Sequence, residues 1–447
     1  MSAAILSQLS SFLQETSFAD IPPEVKEQAK IRIIDFLAAL GIGMRSGVKN
    51  PLLNFARIPA QPEATILYSG QSAPCAHAAA CNTFIANSSG MEDGSRFAGA
   101  HPSSGIIPPA LSAAEASIAS GADLITAVVL AYEVYLRIGY ALYPHDLRRG
   151  FHPSAILAPL GSAAAVGKLL GLDFPAIRSA LALSCLSSSG LVVAFEAYPS
   201  KCYQVARGVK GGFRAALLAR EGMPGPERAL EGGFLKAYGG VEGINLEGLG
   251  SQFLISHSYL KIHGGCRLIH PCIDAALYLK NQEGVSPEDV EEISVKTTSV
   301  AHAMEKESAR SAYDARFNTP FLIAVALIEG EASEHQITEK LLRDERISAL
   351  CEKIKVEVDP ELDKNYPAQR GAKIILKTKD GRIVSRRVDF PLGEPENPLP
   401  LEVLKDKFMK SLVGIFAKSR ISFLYEFLQN LENQRNLIPF FEAVKNK

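Results

Sequence analysis

Residues 150–172 read GFHPSAILAPLGSAAAVGKLLGL, and this stretch is the strongest indication of the fold class. It is rich in alanine, leucine and glycine, and it lacks the alternation of β-branched residues that marks a strand. Further Ala/Leu-rich stretches of helical length lie on both sides of it, at 76–90, 106–120, 123–141, 174–190 and 204–221. Because small side chains let helices approach closely, residues 73–222 predict a packed antiparallel helical domain.

The character of the sequence changes near residue 285. Residues 290–300 and 354–362 have the pattern of strands, and residues 372–390 predict a hairpin around the Asp380-Gly381 turn. Helical patterns lie before and between these strands, at 271–283, 319–330 and 335–348. This mixture predicts an α+β domain built on an antiparallel sheet.

The two ends of the chain are both helical in pattern. Residues 3–17 and 18–45 predict two helices at the start, and residues 401–446 return to helix after the proline-rich segment 391–400. We expect this last segment to pack back on the first domain. The sequence therefore predicts a mainly α fold with a second, α+β domain: a helical domain over 1–260, completed by 398–447, and a smaller domain over 261–397.

The charge balance restricts the possible partners. The chain has 447 residues, with 47 Lys and Arg against 48 Asp and Glu, so its formal net charge is −1. A nucleic-acid-binding protein needs an excess of basic residues on some face, so we expect no nucleic-acid partner. Hydrophobic residues make up 47% and charged residues only 21%. The low charged fraction predicts extensive helix–helix burial, which an oligomer interface would extend further.

The cysteines and the apolar segments indicate the compartment. The seven cysteines form no CxxC motif, so we expect reduced and mostly buried thiols. The first residues, MSAAILSQLSSFLQETSF, lack the basic region of a signal peptide. No apolar run reaches the ~20 residues of a membrane span. We therefore expect a cytoplasmic protein with no membrane partner.

Polar residues capable of acid–base chemistry interrupt the apolar sequence in four places. Histidine, lysine, tyrosine and carboxylate side chains transfer protons, and burial tunes their pKa values. Arginine binds carboxylates through two hydrogen bonds, so several arginines suit a substrate with more than one carboxylate. The four segments are MEDGSRFAGAHPSSG (91–105), LYPHDLRRGFHPSA (142–155), YPSKCYQVARGVKGG (198–212) and LKIHGGCRLIHPCIDAA (260–276).

Each segment also has an interpretation without function. His101 and His152 both precede proline and could be residues of a turn or of a helix N-terminus. Lys201 could be a solvated lysine, and the Arg148-Arg149 pair could be a surface pair. Other chemistries have less support, because the sequence contains no HExxH, CxxC, GxSxG or P-loop motif. We therefore expect no metal site.

Taken together and in this order, the four segments resemble the MmgE/PrpD family, which includes 2-methylcitrate dehydratases, cis-aconitate decarboxylases and an iminodisuccinate epimerase. The resemblance runs from VKEQAKIRIIDFLAALGIG through GFHPSAILAPLGSAAAVGKLLGL and KIHGGCRLIHPCIDAAL to DARFNTPFLIAVALIEG, nearly the whole chain. It implies a helical domain formed by both chain ends, an inserted α+β lid, an active site between the domains, a homodimer, and no metal or organic cofactor.

The resemblance also implies which residues form the site. Asp93, His101, His152, Lys201 and Lys261 match positions of the family's active site, and Arg267 and His270 match the motif that follows. From their chemistry we assign proton transfer to Lys201, His101, His152 and Tyr143, with Asp93 orienting a histidine or lysine. The candidate substrate-binding residues are Arg96, Arg149, Lys261, Arg267 and His270, because cations stabilise an enolate that forms next to a carboxylate.

Three departures from the family pattern bear on the reaction. The first segment reads Glu92-Asp93-Gly94-Ser95-Arg96 where many members have paired aspartates followed by threonine, Gln204 replaces a histidine, and Phe321 replaces a tyrosine of the decarboxylases. These changes favour an epimerase of an amino- or imino-dicarboxylate. The alternatives are a hydro-lyase of the 2-methylcitrate dehydratase type, a decarboxylase of the cis-aconitate type, and a non-catalytic oligomeric binding protein.

Overall fold

The computed structural model describes residues 4–45, 63–240 and 243–445. The chain divides into a helical unit, Met1–Ser258 with Leu401–Lys447, and an α+β unit, Tyr259–Pro400. The limits expected from the sequence, residues 260 and 398, lie beside these boundaries. The mainly α fold with a smaller α+β unit is confirmed.

The helical unit is built from the alanine-rich segments and from the two chain ends. Its first helices are α1 (Ile5–Glu15), α2 (Pro23–Gly43), α3 (Cys75–Ser89), α4 (Pro102–Ser117), α5 (Gly121–Leu142) and α6 (His145–Arg148). Next come α7 (Pro153–Leu169), α8 (Phe174–Leu186), α9 (Tyr198–Arg220) and α10 (Lys236–Tyr238). A short antiparallel pair, β1 (Ala64–Ile66) and β2 (Gln71–Ala73), precedes α3.

The stretch that begins at Gly150 forms the centre of this unit. Residues Pro153–Gly167 of α7 are buried on all sides, and α7 packs against α4, α5 and α9. Small residues allow this close packing: a Cβ added to Gly212 of α9 would lie 2.0 Å from the Pro159 carbonyl oxygen. The helices therefore meet backbone to backbone, as the composition predicts.

Although charged residues interrupt its apolar sequence, one core helix has the length and mean hydropathy of a membrane span. Helix α5 has 22 residues, and 89% of its most apolar window is buried inside the protein. Core helices of water-soluble proteins have the same property, so this helix is weak evidence for a membrane segment.

The α+β unit contains a four-stranded sheet with helices between its strands. Its elements are α11 (His270–Asn281), β3 (Val290–Thr297), α12 (Ser299–Ala303), α13 (Ala312–Ala315), α14 (Thr319–Glu329), α15 (Glu339–Leu342), α16 (Glu345–Cys351), β4 (Ile354–Val358), α17 (Pro360–Asp363), β5 (Ala372–Thr378) and β6 (Ile383–Val388). The strand order is β4-β3-β5-β6. The hairpin of β5 and β6 around Gly381 is confirmed, with Lys377 opposite Ile383.

Two details of this unit differ from the sequence-based expectation. Strand β4 pairs with β3 in parallel, so the sheet is mixed rather than antiparallel. The long helical connection from β3 to β4 permits this, since parallel neighbours need a crossover. The helix expected at 335–348 is divided into α15 and α16, because Thr338 and Asp344 each cap a separate helix N-terminus.

The C-terminal segment returns to the helical unit as α18 (Leu401–Leu412), α19 (Lys418–Gln429) and α20 (Ile438–Val444). Helix α18 packs on α2, and Lys407 of α18 forms a buried ion pair with Asp35 of α2 at 2.6 Å.

All seven cysteines are free.

Candidate active site

Two helix N-termini bring the histidines of the helical unit into one neighbourhood. His101 is the N-cap residue of α4 and His152 is the N-cap residue of α7, and a proline opens each helix. The backbone N–H of His101 donates to Ser154 Oγ at 3.0 Å, which ties the start of α4 to the start of α7. Both histidines are therefore N-cap residues, as the interpretation without function expects. Their side chains also belong to a polar cluster.

Asp93 is the buried carboxylate of this cluster. It is fully buried, its Oδ1 accepts from the backbone N–H of Ser103 at 3.0 Å, and its Oδ2 accepts from the Tyr132 hydroxyl at 2.9 Å. Burial raises the pKa of Asp93, while the charge of Arg32 and these hydrogen bonds act to lower it. The carboxylate is thus held rigidly by donors from α4 and α5.

The ring of His101 is oriented by the backbone of the Asp93 loop. Its Nδ1 lies 2.6 Å from the carbonyl oxygen of Asp93. A carbonyl oxygen can only accept, so Nδ1 carries a hydrogen and donates. In the neutral ring Nε2 is then the basic nitrogen, which is the form a general base requires.

His152 is more deeply buried than His101. Its Nδ1 lies 2.7 Å from Gln204 Nε2, and its ring packs edge-on against Phe195 with centroids 4.9 Å apart. Burial lowers the pKa of His152 well below its usual range, and the positive charges of Lys201 and His101 lower it further. His152 is therefore a neutral imidazole at neutral pH.

Lys201 lies near His152, and Tyr143 lies next to the loop that leads to His101. Lys201 is in the first turn of α9, half-buried, and its charge acts on His152. Tyr143 follows the last residue of α5, and a Cβ added to Gly99 would lie 2.3 Å from the Tyr143 ring. Tyr143 therefore packs directly on the loop that precedes His101.

The two arginines predicted in this unit differ in burial. Arg96 is buried, and its guanidinium carbon lies 4.9 Å from the centre of the Phe97 ring. Arg149 is exposed, and its guanidinium carbon lies 5.8 Å from the centre of the Phe151 ring. Arg149 has the exposure of a surface arginine, which is the interpretation without function described above.

In the α+β unit, Arg267 uses all of its donors within the protein. Its Nε and one terminal nitrogen donate to Glu394 at 3.2 and 3.0 Å, and its terminal nitrogens also donate to the carbonyl oxygens of Pro391 and Leu392 and to His270 Nδ1. A guanidinium has five N–H groups, and these contacts occupy all five. In this arrangement Arg267 anchors a turn and orients His270, and no donor is left for a substrate carboxylate.

His270 and Lys261 belong to a second buried polar cluster. The Nε2 of His270 and the Oε2 of Glu334 are buried and have no hydrogen-bond partner in the described parts of the chain. The charge of Lys261 acts on both groups, so the three side chains lie near one another. Burial lowers the pKa of His270 and raises the pKa of Glu334. Beside them, His263 Nε2 lies 2.6 Å from Asp274 Oδ1.

Comparison with known proteins matches both parts of the chain to one family. Residues 7–247 match the MmgE/PrpD N-terminal domain, and residues 263–431 match the MmgE/PrpD C-terminal domain. The chain belongs to the MmgE/PrpD family. The match confirms the resemblance based on the four polar segments.

Relatives of this MmgE/PrpD protein carry names of lyases. Cis-aconitate decarboxylase from Aspergillus terreus is 25% identical over 99% of the chain and 96% of its own length. Cis-aconitate decarboxylase from Homo sapiens is 25% identical over 97% of the chain and 93% of its own length. 2-Methylcitrate dehydratase from Escherichia coli (strain K12) is 24% identical over 66% of the chain and 64% of its own length. No name among these three is that of an epimerase.

The structure groups the predicted site residues of this MmgE/PrpD protein into two sets. In the helical unit, His101, His152, Asp93 and Lys201 form one cluster, with Tyr143 packed on its loop. In the α+β unit, His270 and Lys261 belong to one cluster, and Arg267 orients His270 through a hydrogen bond to its Nδ1.

Several residues of the site were missing from the sequence-based prediction. Ser103 and Ser154 bind Asp93 and the backbone of His101, and both stand in a repeated His-Pro-Ser string that could have revealed them. Tyr132 lies inside an apolar helix, and Gln204 carries no charge, so neither has a local signal. In the described residues, no group of three or more His, Cys, Asp or Glu side chains could hold a metal ion.

Proposed function

We propose that this MmgE/PrpD protein is a lyase that transfers protons at a carbon next to a carboxylate group of a small polycarboxylate. The observation that carries the proposal is the geometry of His101: its Nδ1 hydrogen is bound to the Asp93 carbonyl, so its Nε2 is a proton acceptor. The decarboxylases that align with nearly the whole chain support the same reaction class.

The chemistry needs an acceptor, a donor and cations. A carbon next to a carboxylate is a weak acid, so the electron pair left on it must be delocalised toward oxygen and stabilised by positive charge. We assign His101 as the base, with Asp93 and Ser154 positioning its backbone and ring. Lys201 and Arg96 are the candidate cations of the same unit, and Tyr143 is a candidate proton donor.

Two lyase reactions use this set. In a dehydration the base removes the carbon-bound proton, the C–O bond breaks, and an acid protonates the leaving hydroxyl. In a decarboxylation the C–C bond to a carboxylate breaks, carbon dioxide leaves, and an acid delivers a proton to the carbon that retains the electron pair. The dehydration needs an unprotonated and a protonated group beside the reacting carbon, whereas the decarboxylation needs only the protonated group.

An epimerase of the iminodisuccinate type is the second candidate. Phe321, which stands where the decarboxylases have a tyrosine, lies in the hydrophobic core of the α+β unit and has no hydroxyl to donate. An epimerase needs only removal of a proton and its return to the opposite face. The relatives named above give this candidate no support.

Product analysis with a panel of polycarboxylates tests the proposal. The panel contains cis-aconitate, 2-methylcitrate and iminodisuccinate, and conversion is followed by proton NMR and by ultraviolet absorption. Release of carbon dioxide, or a new conjugated alkene formed with loss of water, supports the lyase. Inversion at carbon without any loss supports the epimerase. If no compound is converted, although the same protein binds the panel, the non-catalytic alternative replaces the proposal.

We also propose a cytoplasmic homodimer that needs no cofactor. Leu186, Leu191, Val193 and Tyr203 are each more than half exposed, and they lie close together in the sequence next to the His152 site. Exposed apolar side chains of this kind are typical of a subunit contact. Light scattering should give twice the chain mass of 48.1 kDa. Activity should survive dialysis against a chelator.

A further inference from the structure

We propose that Gln204 is a positioning residue that holds His152 in the neutral form with its hydrogen on Nε2. His152 can then only donate a hydrogen bond toward a substrate, and His101 is the histidine that can accept a proton. The tautomer itself follows from the hydrogen bonds, whereas the donor role rests on the proposed function.

The orientation of the Gln204 amide is fixed by the backbone of Leu191. The Leu191 N–H donates to Gln204 Oε1 at 2.8 Å, and Gln204 Nε2 donates to the Leu191 carbonyl oxygen at 3.1 Å. Exchanging the amide oxygen and nitrogen would place donor against donor and acceptor against acceptor. The amide therefore has one allowed orientation.

This orientation determines the tautomer of His152. The amide nitrogen has two hydrogens, and one of them binds the Leu191 carbonyl. The second points to His152 Nδ1, which lies 2.7 Å away. Since an amide N–H can only donate, Nδ1 accepts and the ring hydrogen is on Nε2. His101 has the opposite form, because the Asp93 carbonyl oxygen accepts from its Nδ1.

The contacts around Leu191 make this arrangement rigid. The His152 N–H donates to the Gly190 carbonyl at 3.1 Å, and the Val192 N–H donates to the Gly150 carbonyl at 2.9 Å. Gly190 allows the close approach, since a Cβ there would lie 2.4 Å from the Ala155 Cβ. Gln204 is only 8% exposed. Backbone hydrogen bonds therefore hold residues 190–192 against residues 150–152, and the Gln204 side chain binds both Leu191 and His152.

The chemical consequence is a donor that does not change with pH. A glutamine does not titrate, so its N–H occupies Nδ1 at every pH near neutrality. Forming an imidazolium at His152 would place a second hydrogen on Nδ1, directly against that N–H. The charged groups that act on His152 are Lys201 and His101, and both oppose a positive charge there. The site thus contains one histidine that can accept a proton, His101, and one that can only donate a hydrogen bond, His152.

Nitrogen-15 NMR of the histidines tests the tautomer without substrate. The full-length protein is labelled at its nine histidines, and a His152→Gln variant identifies the His152 signals by their loss. The wild type should show a protonated Nε2 and an unprotonated Nδ1. Gln204→Glu replaces the donor by an acceptor, so His152 should move its hydrogen to Nδ1 or become an imidazolium. A wild type with hydrogen on Nδ1, or an unchanged Gln204→Glu spectrum, overturns the proposal.

A size-matched variant and the pH profile separate positioning from general structure. Gln204→Met removes donor and acceptor together, so His152 should show a mixture of tautomers, and this variant carries the test if Gln204→Glu does not fold. For Gln204→Glu, kcat should fall by about 10²-fold or more, with a changed pH profile. Wild-type turnover and profile in Gln204→Glu would overturn the donor role. If the tautomer is as stated but the wild type converts no polycarboxylate, the proposed function fails and the tautomer stands.

Discussion

Replacing Lys407 with methionine tests how the C-terminal segment supports the site. The Lys407 ammonium lies 2.6 Å from Asp35 Oδ1 and 3.1 Å from the carbonyl oxygen of Met91, two residues before Asp93. The side chains of Lys407 and Asp35 are 4% and 0% exposed. Removing one partner of a buried ion pair costs about 3–5 kcal/mol, because the other charge remains buried. That cost is a large part of a typical stability of about 5–15 kcal/mol.

The loss in Lys407→Met should depend on pH in a defined direction. Burial raises the pKa of Asp35, and Lys407 is the main charge that opposes this rise. Without Lys407, the pKa of Asp35 in the folded protein rises further above its value in the unfolded chain. The Asp35 carboxylate of the folded protein therefore binds a proton more readily. Stability from such a group is present at low pH and is lost as pH rises through the folded pKa. The destabilisation should therefore be larger at pH 8 than at pH 5.

Urea unfolding followed by far-ultraviolet circular dichroism measures this effect, since the chain has no tryptophan and the helical unit dominates the signal. The double variant Asp35→Asn with Lys407→Met is the matched control, because it buries no charge. It should be more stable than Lys407→Met at pH 8, and its difference from the wild type should vary less with pH. A loss below about 1 kcal/mol in Lys407→Met, or one that is equal at both pH values, would refute the reasoning.

Three further predictions concern the two polar clusters. His101→Gln should lower kcat by about 10²- to 10⁴-fold with unchanged circular dichroism, and an active variant would exclude His101 as the base. Burial lowers the pKa of His270 below its ordinary 6.5, so the unfolded chain binds more protons than the folded protein below that pH. The wild type should therefore lose stability on acidification. In urea titrations, His270→Asn should show a smaller loss of unfolding free energy between pH 7.5 and 5.5. Arg267→Lys should destabilise by about 2 kcal/mol or more by urea unfolding, because Glu394 and two carbonyls lose buried donors. The exposed control Arg343→Lys should stay within about 0.5 kcal/mol, and equal losses in both would contradict this account.

Helices whose signals are local were predicted closely from the sequence. The Ala/Leu-rich stretch 150–172 contains the helix Pro153–Leu169, and its alanines and glycines explain the burial of Pro153–Gly167. The pairing of β4 with β3 depends on residues about 60 positions apart, and no local pattern in Ile354–Val358 indicates whether the partner runs parallel. The division of residues 335–348 depends on the caps Thr338 and Asp344, which compete with a continuous helical pattern.

The candidate site was predictable in residue type but not in role. His101, His152, Asp93 and Lys201 were expected together, because acid–base chemistry needs such residues. Sequence alone does not show whether a donor is already occupied, so it predicts the same substrate-binding role for Arg267 as for Arg96. The same limit applies to Gln204, an uncharged residue whose importance depends on the position of a distant backbone segment.

Deuterium incorporation from deuterium oxide tests the central claim, that His101 takes a proton from a carbon next to a carboxylate. Wild type and His101→Gln are incubated with the polycarboxylate that the wild type converts, and proton NMR follows the carbon-bound hydrogen. The account predicts deuterium in the wild-type product or recovered substrate, and at least a hundredfold slower incorporation with His101→Gln. Incorporation at the wild-type rate in His101→Gln would contradict the account.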